Sequence, residues 1–425
     1  MAEKLAIEGG KPACTASWAG WPCFTEAAIR DAAGALRSGK VNYWTGPRGM
    51  EFEEKFAAWC GARFAISTSS GTSALHVALA GLGIGPGDEV ICTPYSFIAS
   101  SFCACQAGAV PVFVDVKRDD HTMDPKAVEA AITPRTRAII PVHLYGNVCD
   151  IDGLLRVARR HKLFVVEDCA QAHGATWKGR KVGTFGHANA FSFCQSKTFT
   201  TGGEGGMVTT DDEAVAWECR SFRDHGYDVQ QRLRLLELEA KLPYIHNRVG
   251  FNFRLTEVQS ILGLHALRRL DGWNLRRRRQ FGAYLNREFS RLPEVVSVPP
   301  HGDGVRENGF WVYPLVLDIE KLRCTIREFV AALGAEGVPC GPVFWPQSYK
   351  ERAYQERRGF GRLNYPFGDP NADPRAVDYS RVHCPNAAWL EERTLVLFVL
   401  HPVYTVQHQR QVVKAVVKCL AAFRK

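Results

Sequence analysis

The apolar run at residues 163–166 stops abruptly at two carboxylates, Glu167 and Asp168. A short, continuous apolar run that ends at polar residues is typical of a parallel strand buried on both faces. In open α/β sheets, ligands bind at the carboxyl ends of such strands. Further along, a lone lysine, Lys197, stands among Ser, Thr and Gly residues. The stretch 163–208 therefore constrains both the fold and the place of its site.

Runs of the same kind alternate with helical patterns through the first half of the chain. The predicted strands are residues 64–67, 89–93, 110–114, 138–142, 163–166 and 207–210. Two predicted helices precede these strands, one that Thr25 caps and Gly39 ends and one over 50–60. Others lie between them: one from about Thr72, 97–107, one from Pro125, and 151–160. Repeated βαβ units with short connections predict an α/β fold whose mostly parallel sheet is covered on both faces.

The alternation weakens in the second half of the chain. WVYPLVLD reads as an alternating strand, and residues 326–333 and 405–423 as helices, which together predict a smaller α+β domain. We predict a large domain over 1–275, including an N-terminal arm over 1–24, and a small domain over 276–425. Residues 345–381, rich in Tyr, Arg and Pro, are predicted to form a long loop that faces substrate or a partner.

The segment SSGTSALH turns a predicted strand directly into a helix through small residues. Free backbone N–H groups at a helix N-terminus, with no bulky side chain in the way, make a phosphate site. The segment is neither a Walker loop nor a GxGxxG motif. Ser-Gly-Thr also serves as an ordinary helix cap, so this signal alone is weak.

A buried carboxylate followed by a lysine suits one cofactor in particular, pyridoxal 5′-phosphate. Its aldehyde needs a lysine amine for a Schiff base, and its ring nitrogen needs a carboxylate that holds the pyridinium proton. Lys197 and Asp168 fit these two catalytic roles, and Ser192 stands close enough in sequence to reach the phosphate. Taken singly, a strand that ends in Glu-Asp and a solvated loop lysine are both common. The prediction therefore rests on their order together with the phosphate signal.

Residues at other strand ends are candidates for the wall of the pocket. TPYSF carries Tyr95 and Phe97, either of which can stack on a ligand ring or pack in the core. PVHLYGN brings His143 and Tyr145 to the end of another strand, and the loop VNYWTGPRG carries Tyr43. We predict that Tyr43, His143 and Tyr145 contact substrate, with core packing as the alternative for each.

Charge and cysteine usage exclude several classes of protein. The formal net charge of +9 includes one basic run, 276–279, on an amphipathic stretch. Nucleic-acid binding needs a broader stripe with interleaved aromatics, so we expect no nucleic-acid partner. No apolar segment approaches the ~18 residues that span a bilayer, and no signal peptide is recognisable, which predicts a cytoplasmic protein without membrane contact. The 14 cysteines show no zinc or redox spacing, so we expect reduced thiols, no disulfide and no metal.

A set of motifs stands in a fixed order along the chain: SSGTSALH, GDEVICTPYSF, PVHLYG, VVEDCAQAHGA, FSFCQSK, GEGG and GFNFRLTEVQ. In this order and spacing they resemble the DegT/StrS-type sugar aminotransferases, which are fold-type I pyridoxal phosphate enzymes. The resemblance is strong over residues 40–263 and looser towards both ends. It implies a mostly parallel, seven-stranded sheet between helices, with a smaller α+β domain at the C-terminus.

The resemblance implies roles for the residues around the cofactor ring. Lys197 matches the Schiff-base lysine, which also carries the proton between substrate and cofactor. Asp168 matches the residue that binds the pyridine nitrogen, and Gln171 the residue that contacts the ring hydroxyl. Phe97 matches the aromatic that stacks on the ring.

A second group of matching residues belongs to the phosphate. Thr72, Ser73 and Ser192 match residues that hold it within one subunit. Asn252 matches a residue that reaches the phosphate of the neighbouring subunit. The resemblance therefore implies a homodimer whose active sites lie at the subunit interface.

Both ends of the chain are closer to one branch of this family. The opening LAIEGGKPA...WAGWPCF and the pattern CPNAAWLEERTLVL...HPVYT resemble enzymes that aminate keto-cyclitols in antibiotic biosynthesis. We therefore predict transfer of an amino group from glutamine or glutamate to a cyclitol or sugar ketone, scyllo-inosose-like. A nucleotide-diphosphate keto-sugar is the alternative acceptor. A sugar dehydratase or a cofactor-binding regulator is less favoured, because the family's dehydratases replace the lysine by histidine and Lys197 is present here.

Overall fold

The structure is a computed structural model that describes residues 3–234 and 245–425. Its helices are α1 (Glu26–Ser38), α2 (Arg48–Cys60), α3 (Gly71–Gly81), α4 (Ala99–Ala107), α5 (Pro125–Ala130), α6 (Ile151–His161), α7 (Glu213–Arg223), α8 (Val229–Arg234), α9 (Glu257–Arg268), α10 (Arg276–Phe289), α11 (Ile326–Ala335), α12 (Arg352–Gln355), α13 (Pro385–Glu391) and α14 (Val406–Phe423). Its strands are β1 (Phe64–Thr68), β2 (Glu89–Cys92), β3 (Val110–Phe113), β4 (Thr136–Ile139), β5 (Phe164–Asp168), β6 (Thr176–Trp177), β7 (Arg180–Lys181), β8 (Ala188–Ser192), β9 (Gly206–Thr210), β10 (Val295–Ser297), β11 (Arg306–Glu307), β12 (Tyr313–Leu317), β13 (Cys340–Pro342) and β14 (Thr394–Leu397).

The largest sheet has seven strands in the order β1-β9-β8-β5-β4-β2-β3. The strands from β8 to β3 are parallel neighbours, whereas β9 runs antiparallel to both β8 and β1. This confirms the predicted α/β fold with a mostly parallel sheet. β5, which ends in Asp168, is the middle strand, so its carboxyl end lies in the centre of one sheet edge.

Helices cover both faces of this sheet. Successive residues along β5 show it, because Val166 packs in one cluster with α3, α4 and α7, while Val165 packs in another with α6. The same alternation holds in β4, where Ala138 and Ile139 belong to opposite clusters. Since side chains alternate across a strand, both faces of these strands are buried, as their continuous apolar runs predicted.

Local chemistry sets several helix ends close to the predicted positions. The Thr25 hydroxyl accepts a hydrogen bond from the Ala28 N–H at the start of α1, and Gly39 ends that helix in the left-handed region with φ 69°. Some boundaries shift: β4 is Thr136–Ile139 and not 138–142, and α4 begins at Ala99 and not at residue 97. β8 is a strand that the sequence pattern did not predict.

A second, antiparallel sheet has the order β10-β12-β14-β13 and packs against α10, α11 and α14. Successive side chains of β12 contact different hydrophobic clusters, as the alternating pattern predicted, but they do not alternate between buried and exposed. Leu315 lies in the core with these helices and Val316 in the cluster on the other face, and both are buried. Leu5 and Cys14 of the N-terminal arm pack in the same core as Leu315. The division of the chain at residue 275 stays a prediction.

Residues 345–381 include the short helix α12 and are anchored to the large sheet by aromatic side chains. The Tyr354 hydroxyl donates to Ser101 Oγ over 2.6 Å, and the Tyr379 hydroxyl donates to the Pro111 carbonyl over 3.1 Å. Both tyrosines contact Phe113 of the edge strand β3. This segment therefore covers one edge of the sheet. All 14 cysteines are free thiols, and no helix in the described part of the chain could cross a membrane.

Candidate active site

The carboxylate of Asp168 lies buried at the carboxyl end of the middle strand. Its Oδ2 accepts a hydrogen bond of 2.7 Å from the Ser100 hydroxyl on α4, and its Oδ1 accepts one of 3.1 Å from the Ala170 N–H. Burial raises the pKa of Asp168 above its ordinary value, and these two donors and the charge of Lys197 only partly offset it. Asp168 is therefore a carboxylate with few donors in a site that excludes water.

Lys197 stands in the loop between β8 and β9, which brings it back towards the end of β5. Its Nζ lies 4.1 Å from the centroid of the Trp311 ring. Burial lowers the pKa of Lys197, and the Asp168 carboxylate opposes that shift. A lysine needs a lowered pKa to act as a nucleophile or a base near neutrality, and burial supplies it here.

The start of α3 lies beside the end of β8. Ser70 and Ser73 form a capping box at this helix terminus. A Cβ on Gly71 would lie 2.5 Å from Ser192 Cβ, so only glycine allows this approach. The first turn of a helix leaves backbone N–H groups without partners inside the helix. The structure thus brings the start of α3, where Thr72 and Ser73 lie, next to Ser192. The Ser73 hydroxyl is already bonded to Ser70 in the cap.

Gln171 lies three residues after Asp168 in the sequence and is also buried. Its Oε1 accepts a hydrogen bond of 2.8 Å from the Tyr145 N–H. Tyr145 adopts a left-handed backbone conformation with φ 60°, which is rare for residues other than glycine. Its ring packs edge-on against the ring of Tyr95. Strain of this kind clusters at functional sites, which fits the place of Tyr145 beside Gln171.

Comparison with known proteins agrees with this geometry. The model of the DegT/DnrJ/EryC1/StrS aminotransferase family matches residues 22–417. The chain belongs to this family. It is similar to the GDP-perosamine synthase of Caulobacter vibrioides, with 43% identity over 297 residues that make up 70% of this chain and 76% of that protein. It is also similar to the L-glutamine:scyllo-inosose aminotransferase of Streptomyces griseus, with 38% identity over 342 residues, 79% of this chain and 80% of that protein.

The fold agrees as well. The crystal structure of an aminotransferase from Psychrobacter cryohalolentis matches with a TM-score of 0.85 and 34% identity, covering 96% of this chain and 99% of that one. The protein is therefore an aminotransferase of the DegT/DnrJ/EryC1/StrS family, and membership in this family implies pyridoxal phosphate. A further neighbour, from Streptococcus pneumoniae with 26% identity and a TM-score of 0.79, is described as a PMP form.

The residues present fit that cofactor. A buried carboxylate, a lysine with a lowered pKa and an open helix N-terminus meet at one sheet edge. These groups match the ring nitrogen, the aldehyde and the phosphate in charge and chemistry. Phe97 is 45% exposed beside this edge and packs edge-on against Trp345 with ring centroids 5.2 Å apart. Because the Phe97 ring is only partly covered by the protein, one of its faces can stack on the ring of a ligand.

Two residues predicted to contact substrate are bonded within the protein. His143 Nε2 lies 2.9 Å from Glu167 Oε2, and its Nδ1 accepts a hydrogen bond from the Cys149 N–H. The Tyr43 hydroxyl donates to Glu53 over 3.0 Å, and the Arg223 guanidinium lies over its ring. Because their polar atoms are already used in the core, we leave His143 and Tyr43 out of the proposed site. The alternative of core packing describes both.

One trio of potential metal ligands lies together among the described residues, namely His143, Glu167 and Cys169. The oxygens of Glu167 also accept hydrogen bonds from the backbone N–H groups of residues 183, 185 and 186. A carboxylate with these donors has little capacity left for a cation. The absence of a metal stays a prediction.

Asn252 is exposed on the surface of the single chain, next to Phe251, which is 44% exposed. Its neighbour Arg254 forms an ion pair with Asp224, and Asp224 also accepts a hydrogen bond of 2.6 Å from Trp44 Nε1. Asn252 is therefore accessible to another subunit.

Sequence reasoning missed Ser100, Trp311 and Trp21. Ser100 is one of several small residues on α4, and only the packing of α4 against β5 selects it. Trp311 lies in the stretch read as a strand, and Trp21 lies in the N-terminal arm. Nothing in the sequence of the arm indicates that Trp21 Nε1 donates to the Lys197 carbonyl over 3.0 Å.

Proposed function

We propose that the protein transfers an amino group from glutamine or glutamate to the ketone of a cyclitol or sugar, with pyridoxal phosphate as cofactor. The observation that supports this reaction is the pairing of Asp168 and Lys197 at one sheet edge. Burial raises the pKa of the carboxyl group and lowers the pKa of the amine. Such opposite shifts in neighbouring groups are typical of active sites.

Each residue has a separate task in holding the cofactor. Asp168 would bind the ring nitrogen, Gln171 the ring hydroxyl, and Phe97 one face of the ring. Thr72 and Ser192, with the first turn of α3, would bind the phosphate. The bound cofactor supplies an aldehyde that exchanges the amino group and a ring that accepts the electron pair left at the substrate carbon.

Lys197 would move the proton. When its amine is free it would take a proton from the substrate carbon as a general base, and as an ammonium group it would give that proton back. The lowered pKa keeps a larger fraction of this amine neutral near pH 7 than an exposed lysine would have. The Trp311 ring covers this amine on one side.

For the acceptor, we propose a keto-cyclitol first and a nucleotide-diphosphate keto-sugar second. The N-terminal pattern that favours the cyclitol branch includes Trp21, which contacts the Lys197 loop. The relative from Streptomyces griseus is named for scyllo-inosose. The relative from Caulobacter vibrioides is named for a GDP-linked product, and together with the net charge of +9 it favours the second candidate.

We also propose a homodimer with shared active sites and with neither nucleic acid nor membrane as a partner. Asn252 would reach the phosphate in the other subunit. The surface around it carries exposed apolar side chains, namely Phe251 and Val249, the latter 84% exposed. Adjoining exposed apolar residues mark interaction surfaces.

An absorbance titration tests the reaction. The purified protein loaded with pyridoxal phosphate should show a visible band that glutamine or glutamate bleaches. A keto-cyclitol should restore the band and a nucleotide keto-sugar should not, and the reverse result would select the second acceptor. A protein without any cofactor band after addition of pyridoxal phosphate would contradict the roles of Lys197 and Asp168.

Mixing two inactive variants tests the shared site. Lys197→Ala and Asn252→Asp should each lose activity, and refolding them together should restore about a quarter of the wild-type rate, because half of the dimers then contain one intact site. Mixing Lys197→Ala with Asp168→Asn is the control. If both residues act in the same subunit's site, this second mixture stays inactive. Absence of recovery in the first mixture, with a dimer seen by light scattering, would place Asn252 outside the partner's site.

A further inference from the structure

Three consecutive carbonyls around Lys197 are each held by a side-chain N–H group from a different part of the chain. Trp311 Nε1 donates to the Ser196 carbonyl over 2.6 Å. Trp21 Nε1 donates to the Lys197 carbonyl over 3.0 Å, and Asn274 Nδ2 donates to the Thr198 carbonyl over 2.5 Å. We call Trp311, Trp21 and Asn274 the carbonyl clamp.

One side chain, Arg278, contacts every member of this clamp. Its Nε donates to Asn274 Oδ1 over 2.7 Å, and its Nη1 donates to the Trp311 carbonyl over 2.9 Å. Its guanidinium lies 5.4 Å from the centroid of the Trp21 ring. Arg278 is fully buried, and its hydrogen-bond partners in the described structure are uncharged groups. A buried cation held only by neutral groups is costly, so its place in the middle of the clamp calls for a functional reason.

His401 completes the support of the arm. Its Nδ1 lies 3.0 Å from Arg278 Nη2, and its ring stacks on Trp21 with centroids 5.2 Å apart and planes 10° apart. Burial and the charge of Arg278 lower the pKa of His401 to about 3. The ring is therefore neutral near pH 7 and accepts the hydrogen bond from the guanidinium.

We propose that Arg278 is a positioning residue for Lys197 and that it acts through the carbonyl clamp. Through Trp21, the N-terminal arm also helps to position Lys197. With the three carbonyls fixed, the Lys197 side chain starts from one backbone orientation, and its Nζ rests on the face of Trp311. An aromatic face attracts an ammonium group, so Trp311 holds the amine whenever it is protonated and unbound. The inference rests on the proposed catalytic role of Lys197.

The chain offers a matched control for the arm. Trp18 lies three residues before Trp21, is half-buried like it, and also donates its Nε1 to a carbonyl, that of Gly337, over 2.8 Å. It also packs on an aromatic side chain, Tyr404. Trp18→Phe and Trp21→Phe therefore remove the same kind of hydrogen bond from the same arm, but only the second one touches the Lys197 loop.

The first measurement is hydrogen–deuterium exchange of the full-length, cofactor-free protein. Trp21→Phe should speed exchange in peptides that contain residues 195–201 by up to about tenfold, the size expected for one lost hydrogen bond. Trp18→Phe should leave these peptides unchanged. Arg278→Lys keeps the charge but lacks the planar, five-donor guanidinium that reaches four acceptors here, so it should act like Trp21→Phe. Equal exchange in the two tryptophan variants would overturn the role of the arm.

The second measurement is the pH dependence of Lys197 methylation by formaldehyde and a borohydride, read peptide by peptide with mass spectrometry. Trp311→Leu removes the aromatic face that favours the ammonium form, so the midpoint of the labelling curve should fall by about 0.5 pH unit. Trp311→Phe keeps a ring and should shift the midpoint less. An unchanged midpoint in Trp311→Leu would contradict the contact. Since both measurements use protein without cofactor, their outcome is separate from that of the aminotransfer test.

Discussion

The two faces of the sheet at the end of β5 carry one carboxylate each, and the two carboxylates differ in almost everything but burial. Glu167 and Asp168 are neighbours in sequence and 0% and 4% exposed. Glu167 points to one face, where His143 and a turn of backbone N–H groups surround it. Asp168 points to the other, towards Ser100 and Lys197.

Donors decide the difference. Burial alone would raise the pKa of Glu167, but hydrogen bonds from His143 and from the backbone of Gly183 and Gly186 lower it below its ordinary value. Among the described residues, Asp168 accepts hydrogen bonds only from the Ser100 hydroxyl and the Ala170 N–H, and burial raises its pKa. A carboxylate surrounded by N–H groups anchors structure, whereas one with few donors keeps its charge free for a ligand. The same strand therefore carries, side by side, one carboxylate that is fully supplied with donors and one that is not.

Removing the amine on the Asp168 face should have the largest effect. We expect Lys197→Ala to abolish transamination, because Lys197 is the group proposed to bind the cofactor aldehyde and to carry the proton. The assay is turnover of amino donor and acceptor, with Lys178→Ala, a surface lysine that is 62% exposed, as the control. Clear residual transamination by Lys197→Ala would assign the proton transfer to another residue.

Removing the charge of Asp168 should have the second-largest effect on activity. Asp168→Asn should lower kcat at least about 10²-fold, the usual cost of removing one charged group that stabilises the reacting state. Its thermal stability should change little or rise, because a buried carboxylate with a raised pKa is itself unfavourable. Activity near that of the wild type would show that the ring nitrogen has another partner.

The Glu167 face should respond in the opposite way, with a loss of stability. Glu167→Gln places an amide nitrogen among N–H donors, so at least one of these donors loses its acceptor. We expect the variant to lose about 3 kcal/mol of unfolding free energy. Urea unfolding of the cofactor-free protein measures it. The rate per folded molecule should fall much less than in Asp168→Asn. A rate loss as large as that of Asp168→Asn would contradict a purely structural role for Glu167.

The smallest effect is a pH dependence that separates the two faces. The pKa of Asp168 is raised on folding, so its unfavourable contribution is absent below the unfolded pKa of about 3.9 and grows as pH rises through the folded pKa. The stability of Asp168→Asn relative to the wild type should therefore increase from pH 4 to pH 7.

Glu167 has a lowered pKa, so its stabilising contribution is complete above the unfolded pKa of about 4.3 and is lost only at lower pH. The stability difference between the wild type and Glu167→Gln should stay constant from about pH 5 to pH 6. Above that range it should shrink, because the pKa of the bonded His143 is raised to about 10 and its stabilising contribution weakens once pH passes the unfolded histidine pKa of about 6.5. Urea unfolding at several pH values measures both differences. A difference that changes between pH 5 and pH 6 for Glu167→Gln, or one that does not change from pH 4 to pH 7 for Asp168→Asn, would reverse the assignment.

The fold was predictable where the pattern is local. Apolar runs of four or five residues located β1, β2, β3 and β5, and capping residues such as Thr25 located helix starts. β8 escaped prediction because its run, ANAFS, mixes small and polar residues that are buried only by their neighbours. His143 and Tyr43 were assigned to substrate because sequence places a residue at a strand end or in a loop but does not show which way its side chain faces.

The sequence by itself determined the parallel strands, the lysine and the carboxylate of the site, and the helix terminus that suits a phosphate, because each depends on residues close together in the chain. Only the tertiary structure decided which of Glu167 and Asp168 keeps its charge available, and that Trp311, Trp21 and Arg278 surround Lys197. These contacts join residues more than a hundred positions apart in the case of Trp311 and Ser196. Burial and hydrogen-bond donors come from packing, and packing sets the pKa values on which the chemistry depends.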